Sequence, residues 1–381
     1  MHTLSRNTID IYFHQVLLNA IFCSFIRKLQ EIQMEVLAID IGFGFTKALS
    51  RNKSLIFKSI LGDANDIQFR GGILPDGSPD DHIQIEVDNR SYFIGELAER
   101  QSEVRSFTLD QTQFFNSHLK PLALAAAAGI TGSFVPTGLV TGLPIGFYRE
   151  YKDIVTKNLK GDHKVVLTGS TGKREEKTIK ISEVKVIPQP FGSLFNLMLN
   201  DLGELGEKRF VHEKIGIIDV GFKTADYTVA DKMRYSERGS RTTDTGISKA
   251  FGMIAGKLLE KSNVNVELYR LYNAVEKGSI KIRGAEYDLK ASTEIVYGQL
   301  AAAIASEVDQ LWFDDWDIDT IVLTGGGGAT LARHLQPLIK GQLVTVDPAK
   351  DARLCNVKGY WKYGKHLWSR GIETPQPAPE N

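Results

Sequence analysis

Residues 39–47 read IDIGFGFTK and residues 218–226 read IDVGFKTAD. Each is an apolar run closing on Asp, followed by an apolar residue, Gly and Phe. A buried strand entering a glycine turn reads this way, because glycine adopts the backbone angles of tight turns without steric cost. A chain that builds the same strand and turn twice, far apart, is expected to contain two units of similar design. The length agrees: 381 residues exceed one ordinary core and suffice for two.

The other elements alternate in the same spirit. Strand–turn–strand is expected at 35–50 and again at 214–230. A helix is expected in SHLKPLALAAAAGIT, a strand in GLVTGLPIGFY, two strands in 163–189, and a helix in PFGSLFNLMLNDLG with Pro in its first turn. ISKAFGMIAGKLLEKS and TEIVYGQLAAAIASEVDQLW read as helices. IDTIVLTGGGGATLARHLQPLI reads as strand, glycine turn and helix, and ARLCNVKGYWKYGKHLW as a last helix. Alternating strands and helices predict an α/β fold.

Composition excludes several function classes. Lys+Arg and Asp+Glu are both 46, so no bulk field exists to hold nucleic acid or an anionic membrane, and neither direct contact is expected. Two cysteines, Cys23 and Cys355, give neither a disulfide framework nor a zinc motif, and a cytoplasmic location is the natural reading. Residues 1–33 contain the apolar stretch 9–26, but Asp10, His14, Gln15 and Asn19 interrupt it. It is a poor signal peptide and a poor spanning helix. The expected fold starts at Met34, with 1–33 a peripheral extension. The tail 371–381 is Pro-rich and expected to be disordered.

The motifs suggest chemistry. Asp40 ends a buried strand, where a carboxylate is costly without a cation. Gly42 and Gly44 let backbone N–H groups approach phosphate oxygens, and Lys47 supplies positive charge. The second stretch offers Asp219, Gly221, Lys223, Thr224 and Asp226. One such hairpin is usually only a hairpin. Two facing each other across a cleft clamp a triphosphate from both sides. Their Asp residues suit a hydrated Mg²⁺, which needs few protein ligands. The glycines of LTGGGGAT (323–330) either pack against a ring or phosphate at a helix N-terminus or form a generic strand-to-helix turn.

Taken in order, these stretches resemble the phosphate-1, phosphate-2 and adenosine motifs of the actin, chaperone and sugar-kinase ATPase superfamily. IPQPFGSLFNL (187–197) and CNVKGYWKYG (355–364) are similar to its two connecting helices. DIGFGFTK, TGLP (141–144) and NVKGY (356–360) resemble the bacterial and archaeal actin-like proteins, the ParM-type plasmid segregation family.

The resemblance implies an actin-like ATPase fold: two related RNase H-like α/β domains flanking a nucleotide cleft. Domain I is then 34–188, completed by the helix 354–370, and domain II is 189–353. Asp40 and Asp219 are implied to organise Mg²⁺ through water, and Gln189 to orient the attacking water. Gly42, Phe43, Gly44, Lys47, Gly221, Phe222, Lys223 and Thr224 would hold the phosphates. Asp244 and Gly246 would line the cleft, and Gly326, Gly327 and Gly328 would face the adenosine side. Phe43 stands where the family has Ser or Thr, and Phe222 where it has a small residue. The implied function is an ATP-driven head-to-tail filament serving DNA segregation through a separate DNA-binding adaptor. A small-molecule kinase and a non-polymerising partner-binding module are the alternatives.

Overall fold

The computed structural model describes residues 34–64, 82–345 and 351–368. The expected extension 1–33 and tail 371–381 lie outside them. The two repeated stretches occupy matching places in two sheets. In the first, β1 (Glu35–Ile41) pairs antiparallel with β2 (Phe45–Leu49), and β2 with β3 (Ser54–Lys58). On its other edge β1 runs parallel to β8 (Pro136–Leu143), and β8 to β10 (Arg174–Pro188). In the second sheet, β11 (Lys214–Val220) pairs antiparallel with β12 (Ala225–Asp231), and β12 with β13 (Arg234–Thr243). β11 then runs parallel to β16 (Thr320–Thr324), and β16 to β17 (Leu343–Thr345). The same meander with the same two parallel additions is thus built twice.

The first sheet continues past β10 through β9 (Gly161–Thr168), β5 (Ile83–Val87), β6 (Arg90–Ile94), β4 (Leu61–Asp63) and β7 (Arg105–Ser106). β14 (Ser279–Ile282) and β15 (Ala285–Asp288) form a separate hairpin. The parallel core strands are covered on both faces, which is why β1, β8, β11 and β16 read as nearly unbroken apolar runs.

Helices α1 (Glu96–Gln101), α2 (Leu119–Ile130) and α3 (Ile145–Leu159) belong to the first half. α2 is buried almost all round, and its alanines let it press close to the sheet. α4 (Pro190–Met198) leads across to the second half, which adds α5 (Ser248–Ser262), α6 (Leu271–Lys277), α7 (Lys290–Leu311) and α8 (Gly325–Leu335). The last helix, α9 (Cys355–Trp368), packs on β1 and β8 of the first sheet although it follows the second in sequence.

α4 and α9 cross at a point that admits no side chain. A Cβ on Gly359 would stand 1.6 Å from the Gly192 carbonyl oxygen, and one on Gly192 would stand 2.4 Å from the Tyr360 ring. Tyr360 is fully buried, with its hydroxyl against Gly142.

One expectation needs correction. The glycines after β16 are not a turn: α8 begins at Gly325, directly after Thr324, so Gly325–Gly328 form its first turn. Gly325, at φ +83°, would place a Cβ 2.4 Å from Asp219 Oδ1, and Gly327 one 2.9 Å from the Val220 carbonyl oxygen. These two glycines let the helix lie against β11.

Candidate functional site

The two hairpin turns meet across a cavity of about 870 Å³. That size suits a small-molecule or cofactor pocket. Gly42, Phe43, Gly44 and Lys47 line it from the first half, with Gln189 at the start of α4; Gly221, Phe222, Lys223 and Thr224 line it from the second, with Gly326 and Gly327 of α8.

Each turn is held by its own backbone. Gly42 N–H donates to the Phe45 carbonyl and Gly221 N–H to that of Thr224, at 3.1 and 2.8 Å. Among the described residues, the backbone N–H groups of Phe43, Gly44, Phe222 and Lys223 find no acceptor within the chain. Unpaired N–H groups at a glycine turn form a concavity that favours anions. The N-terminus of α8, reached through Gly326 and Gly327, adds its dipole with the same sign.

Asp40 and Asp219 lie at the strand ends just behind the turns, each 2% exposed. Lys47 Nζ donates to Asp40 at 2.8 Å, and Asn356 Nδ2 donates to Asp219 at 2.7 Å. Asp219 nevertheless carries a pKa raised to about 7: burial disfavours its charge, the Asn356 bond only partly offsets that, and Asp226 and Asp40 repel it. A buried carboxylate group short of cations is the donor set a hydrated divalent ion satisfies. Among the described residues no group of three or more His, Cys, Asp or Glu side chains is placed to ligate a metal. The residues therefore fit an ion held largely through its own waters.

Lys223 is held loosely. Its Nζ lies 4.9 Å from the Phe43 ring centroid and 4.0 Å from Asp244. Phe43 and Phe222, in the two turns, are both packed among other aromatic rings. Phe43 packs on Phe114 of its own half at 4.3 Å between centroids. Phe222 packs on Phe107 of the first half and on Phe251 and Tyr272 of its own.

Asp226 bridges the halves. Its carboxylate accepts from the backbone N–H of Ile145, at the start of α3, and from Thr242 Oγ1 and Thr224 Oγ1. Thr242 also accepts from Gly146 N–H at 2.7 Å. Burial pushes Asp226 up to about 6, against these three bonds.

Five expected residues do not line the cavity: Asp40 and Asp219 stand behind the turns, and Asp244, Gly246 and Gly328 lie elsewhere. Asp244 is 70% exposed and contacts it only through Lys223. Gly246 lies beneath the second turn, where a Cβ would stand 2.3 Å from the Phe222 carbonyl oxygen, so its role is close packing. Gly328 packs on Leu323.

The sequence reading missed the opposite wall. Tyr272 and Glu276 of α6, Thr293 and Tyr297 of α7, Arg333 of α8 and Arg353 line it. The signal available was i, i+4 spacing on helices, as in Tyr272–Glu276 and Thr293–Tyr297, which fixes a shared face but not what it faces. Over the whole cavity six basic side chains (Lys47, Lys223, Lys277, Lys290, Arg333, Arg353) outnumber three acidic ones (Glu276, Glu294, Asp351), so the lining favours an anion.

Residues 38–192 match the family model described as the N-terminal domain of actin-like proteins, and residues 217–337 match the C-terminal model of the archaeal, MreB-like actin homologue. Among solved structures, a non-polymerisable quadruple mutant of pCBH ParM is 26% identical, with a TM-score of 0.72, covering 87% of this chain and 99% of that one. A 15-stranded ParM filament from Clostridium botulinum is 25% identical, with a TM-score of 0.73 and the same coverage. The archaeal actin homologue Ta0583 in complex with ADP is 18% identical, with a TM-score of 0.69, covering 86% of this chain and 98% of that one, a likeness of fold. No curated protein matches the chain by sequence.

Proposed function

We propose that this chain, which belongs to the actin-like proteins and has their two-domain α/β fold, binds a nucleoside triphosphate with Mg²⁺ between its two sheets, hydrolyses it slowly, and assembles into nucleotide-dependent filaments. The observation behind this reading is the pair of Asp–Gly hairpin turns, each with unpaired N–H groups, facing one cavity whose basic side chains outnumber its acidic ones.

The nucleotide is taken as ATP, which the family resemblance implies. The turn N–H groups bind the β- and γ-phosphates, and Lys47 and Lys223 neutralise them. Asp40 and Asp219 hold the metal's water shell; when bound, Mg²⁺ offsets charge on the transferred phosphoryl group. Gln189, fixed by its backbone N–H to the Leu143 carbonyl at 2.8 Å, orients the attacking water. Gly326 and Gly327 face the nucleoside. We take 34–188 with 354–370 as one domain and 189–353 as the other, so that closure on nucleotide changes surfaces on both.

Head-to-tail contacts between unlike surfaces do not close, and so give filaments. The Clostridium ParM filament, similar in fold to this chain, supports that part. Segregation of plasmid or other DNA in the cytoplasm, through a DNA-binding adaptor, completes the reading. Among the described residues no helix is long and apolar enough to cross a membrane.

The test is sedimentation and light scattering of wild type and Asp219→Ala with ATP–Mg and GTP–Mg. Assembly that requires triphosphate and is lost in Asp219→Ala is expected. No nucleotide-dependent assembly at high protein concentration removes the filament reading, and ATP hydrolysis stimulated by a sugar favours a kinase instead.

A further inference from the structure

We propose that Tyr272 donates its hydroxyl across the cleft to the phosphate chain of the bound nucleotide. The inference rests on the nucleotide reading above and adds a ligand outside the glycine turns. Tyr272 stands on α6 in the second half, but its ring packs on Phe45 of the first half at 4.6 Å between centroids and on Phe222 at 5.1 Å. That packing aims the hydroxyl at the first turn: a Cβ on Gly44 would stand 2.2 Å from it.

This hydroxyl is buried and, among the described residues, has no hydrogen-bond partner. The hydroxyls nearest the turns are already engaged. Thr46 and Ser59 share a hydrogen bond, Ser59 also donates to the Gly42 carbonyl, and Thr224 donates to Asp226. A buried polar group without a partner loses its hydration and gains nothing back. In the wall of a cavity, such a group points to a ligand that completes it.

The neighbouring groups define that ligand. The hydroxyl lies against Gly44, in the turn whose Phe43 and Gly44 N–H groups are unpaired, whereas the Gly42 and Gly44 carbonyls are occupied by Ser59. Donors converge there, so the partner is an oxygen acceptor of the phosphate type. Burial also pushes the phenol's pKa well above its ordinary value, which keeps the donor proton in place. The ring is held from both halves, so the hydroxyl is positioned before the ligand arrives.

Tyr272→Phe keeps the ring and removes only the donor. Calorimetric titration with ATP–Mg, ADP–Mg and adenosine, beside thermal melts of the free protein, tests the idea. The variant is expected to bind ATP–Mg about tenfold more weakly, a change of about 1.4 kcal/mol. Adenosine affinity is expected to stay unchanged, and the free variant to melt at the same temperature or higher. Equal ATP–Mg affinity in variant and wild type overturns the proposal. So does an equal loss for ATP–Mg and adenosine with a lowered melting temperature, which marks a packing role. Wild type that binds no nucleotide takes down the broader reading as well, whereas wild-type binding with an unaffected variant removes only this one.

Discussion

The side-chain amide of Asn356 donates to Asp219 Oδ2 at 2.7 Å, tying the last helix to the Asp of the second turn. The amide oxygen of Asn356 accepts from Ser193 Oγ at 2.7 Å, and Ser193 shares a 2.6 Å hydrogen bond with Thr324. One buried chain of bonds therefore joins α9, α4, β16 and β11. Asn356→Ala removes the donor that favours charged Asp219 and pushes its pKa further above about 7. ATP–Mg affinity is expected to fall about tenfold at pH 7 and to recover in part at pH 8.5, where Asp219 ionises regardless; titration at both values checks this.

Asp226 predicts a pH dependence of stability in the nucleotide-free protein. Its folded pKa, about 6, lies above its ordinary 3.8, so the folded chain holds this proton more tightly than the unfolded one. The charge therefore costs stability above pH 6, and that cost fades as pH falls from about 6 towards 3.8. Asp226→Asn keeps an oxygen for Ile145 N–H and Thr242 Oγ1 while removing the charge. It is expected to stabilise the free protein by up to about 3 kcal/mol at pH 8 and by almost nothing at pH 4, read from urea melts. Asp226→Ala, which breaks the bridge, is expected to destabilise at both.

Phe43 is 7% exposed, tilted against Phe114, with Lys223 above its ring. Phe43→Ser restores a hydroxyl to the turn but leaves a cavity. A loss of about 3 kcal/mol in chemical denaturation is expected, without tighter ATP binding.

The helix crossing offers a sharper contrast. Gly359→Ala meets the Gly192 carbonyl and is expected to cost 3 kcal/mol or more, by the rough scale of overpacking and lost interdomain contact. Gly252→Ala, on the exposed face of α5 with nothing within 4 Å, is expected to gain up to about 1 kcal/mol. Thermal melts of the two distinguish close approach from helix propensity.

The legible parts of the fold were those whose pattern is local. β1 and β11 announce themselves as apolar runs into glycine, and the twofold design follows from their repetition. β13 did not, because Arg234–Thr243 is a largely exposed edge strand of polar residues. The site divides the same way. Backbone geometry at Gly42–Gly44 and Gly221–Thr224 requires particular residue types, so sequence reveals it. The wall of Tyr272, Thr293, Tyr297 and Arg333 depends on how α6, α7 and α8 are docked, which no local pattern encodes. The phenylalanines at 43 and 222 looked anomalous in a turn motif and become ordinary once their ring partners are seen.

The contact between Gly192 and Gly359 has a mechanical consequence. Both helical passages between the halves meet there, with the Gly192 carbonyl against Gly359 and the Tyr360 ring against Gly192. Sliding one helix along the other would drive backbone into backbone there, whereas a rotation about the contact would leave it closed. The crossing is therefore placed to serve as a fulcrum for any rotation of one half against the other. Displacement grows with distance from it, so a shift at the two turns too small to break their hydrogen bonds is magnified at the outer strands, the surfaces on which a neighbouring subunit would have to register it.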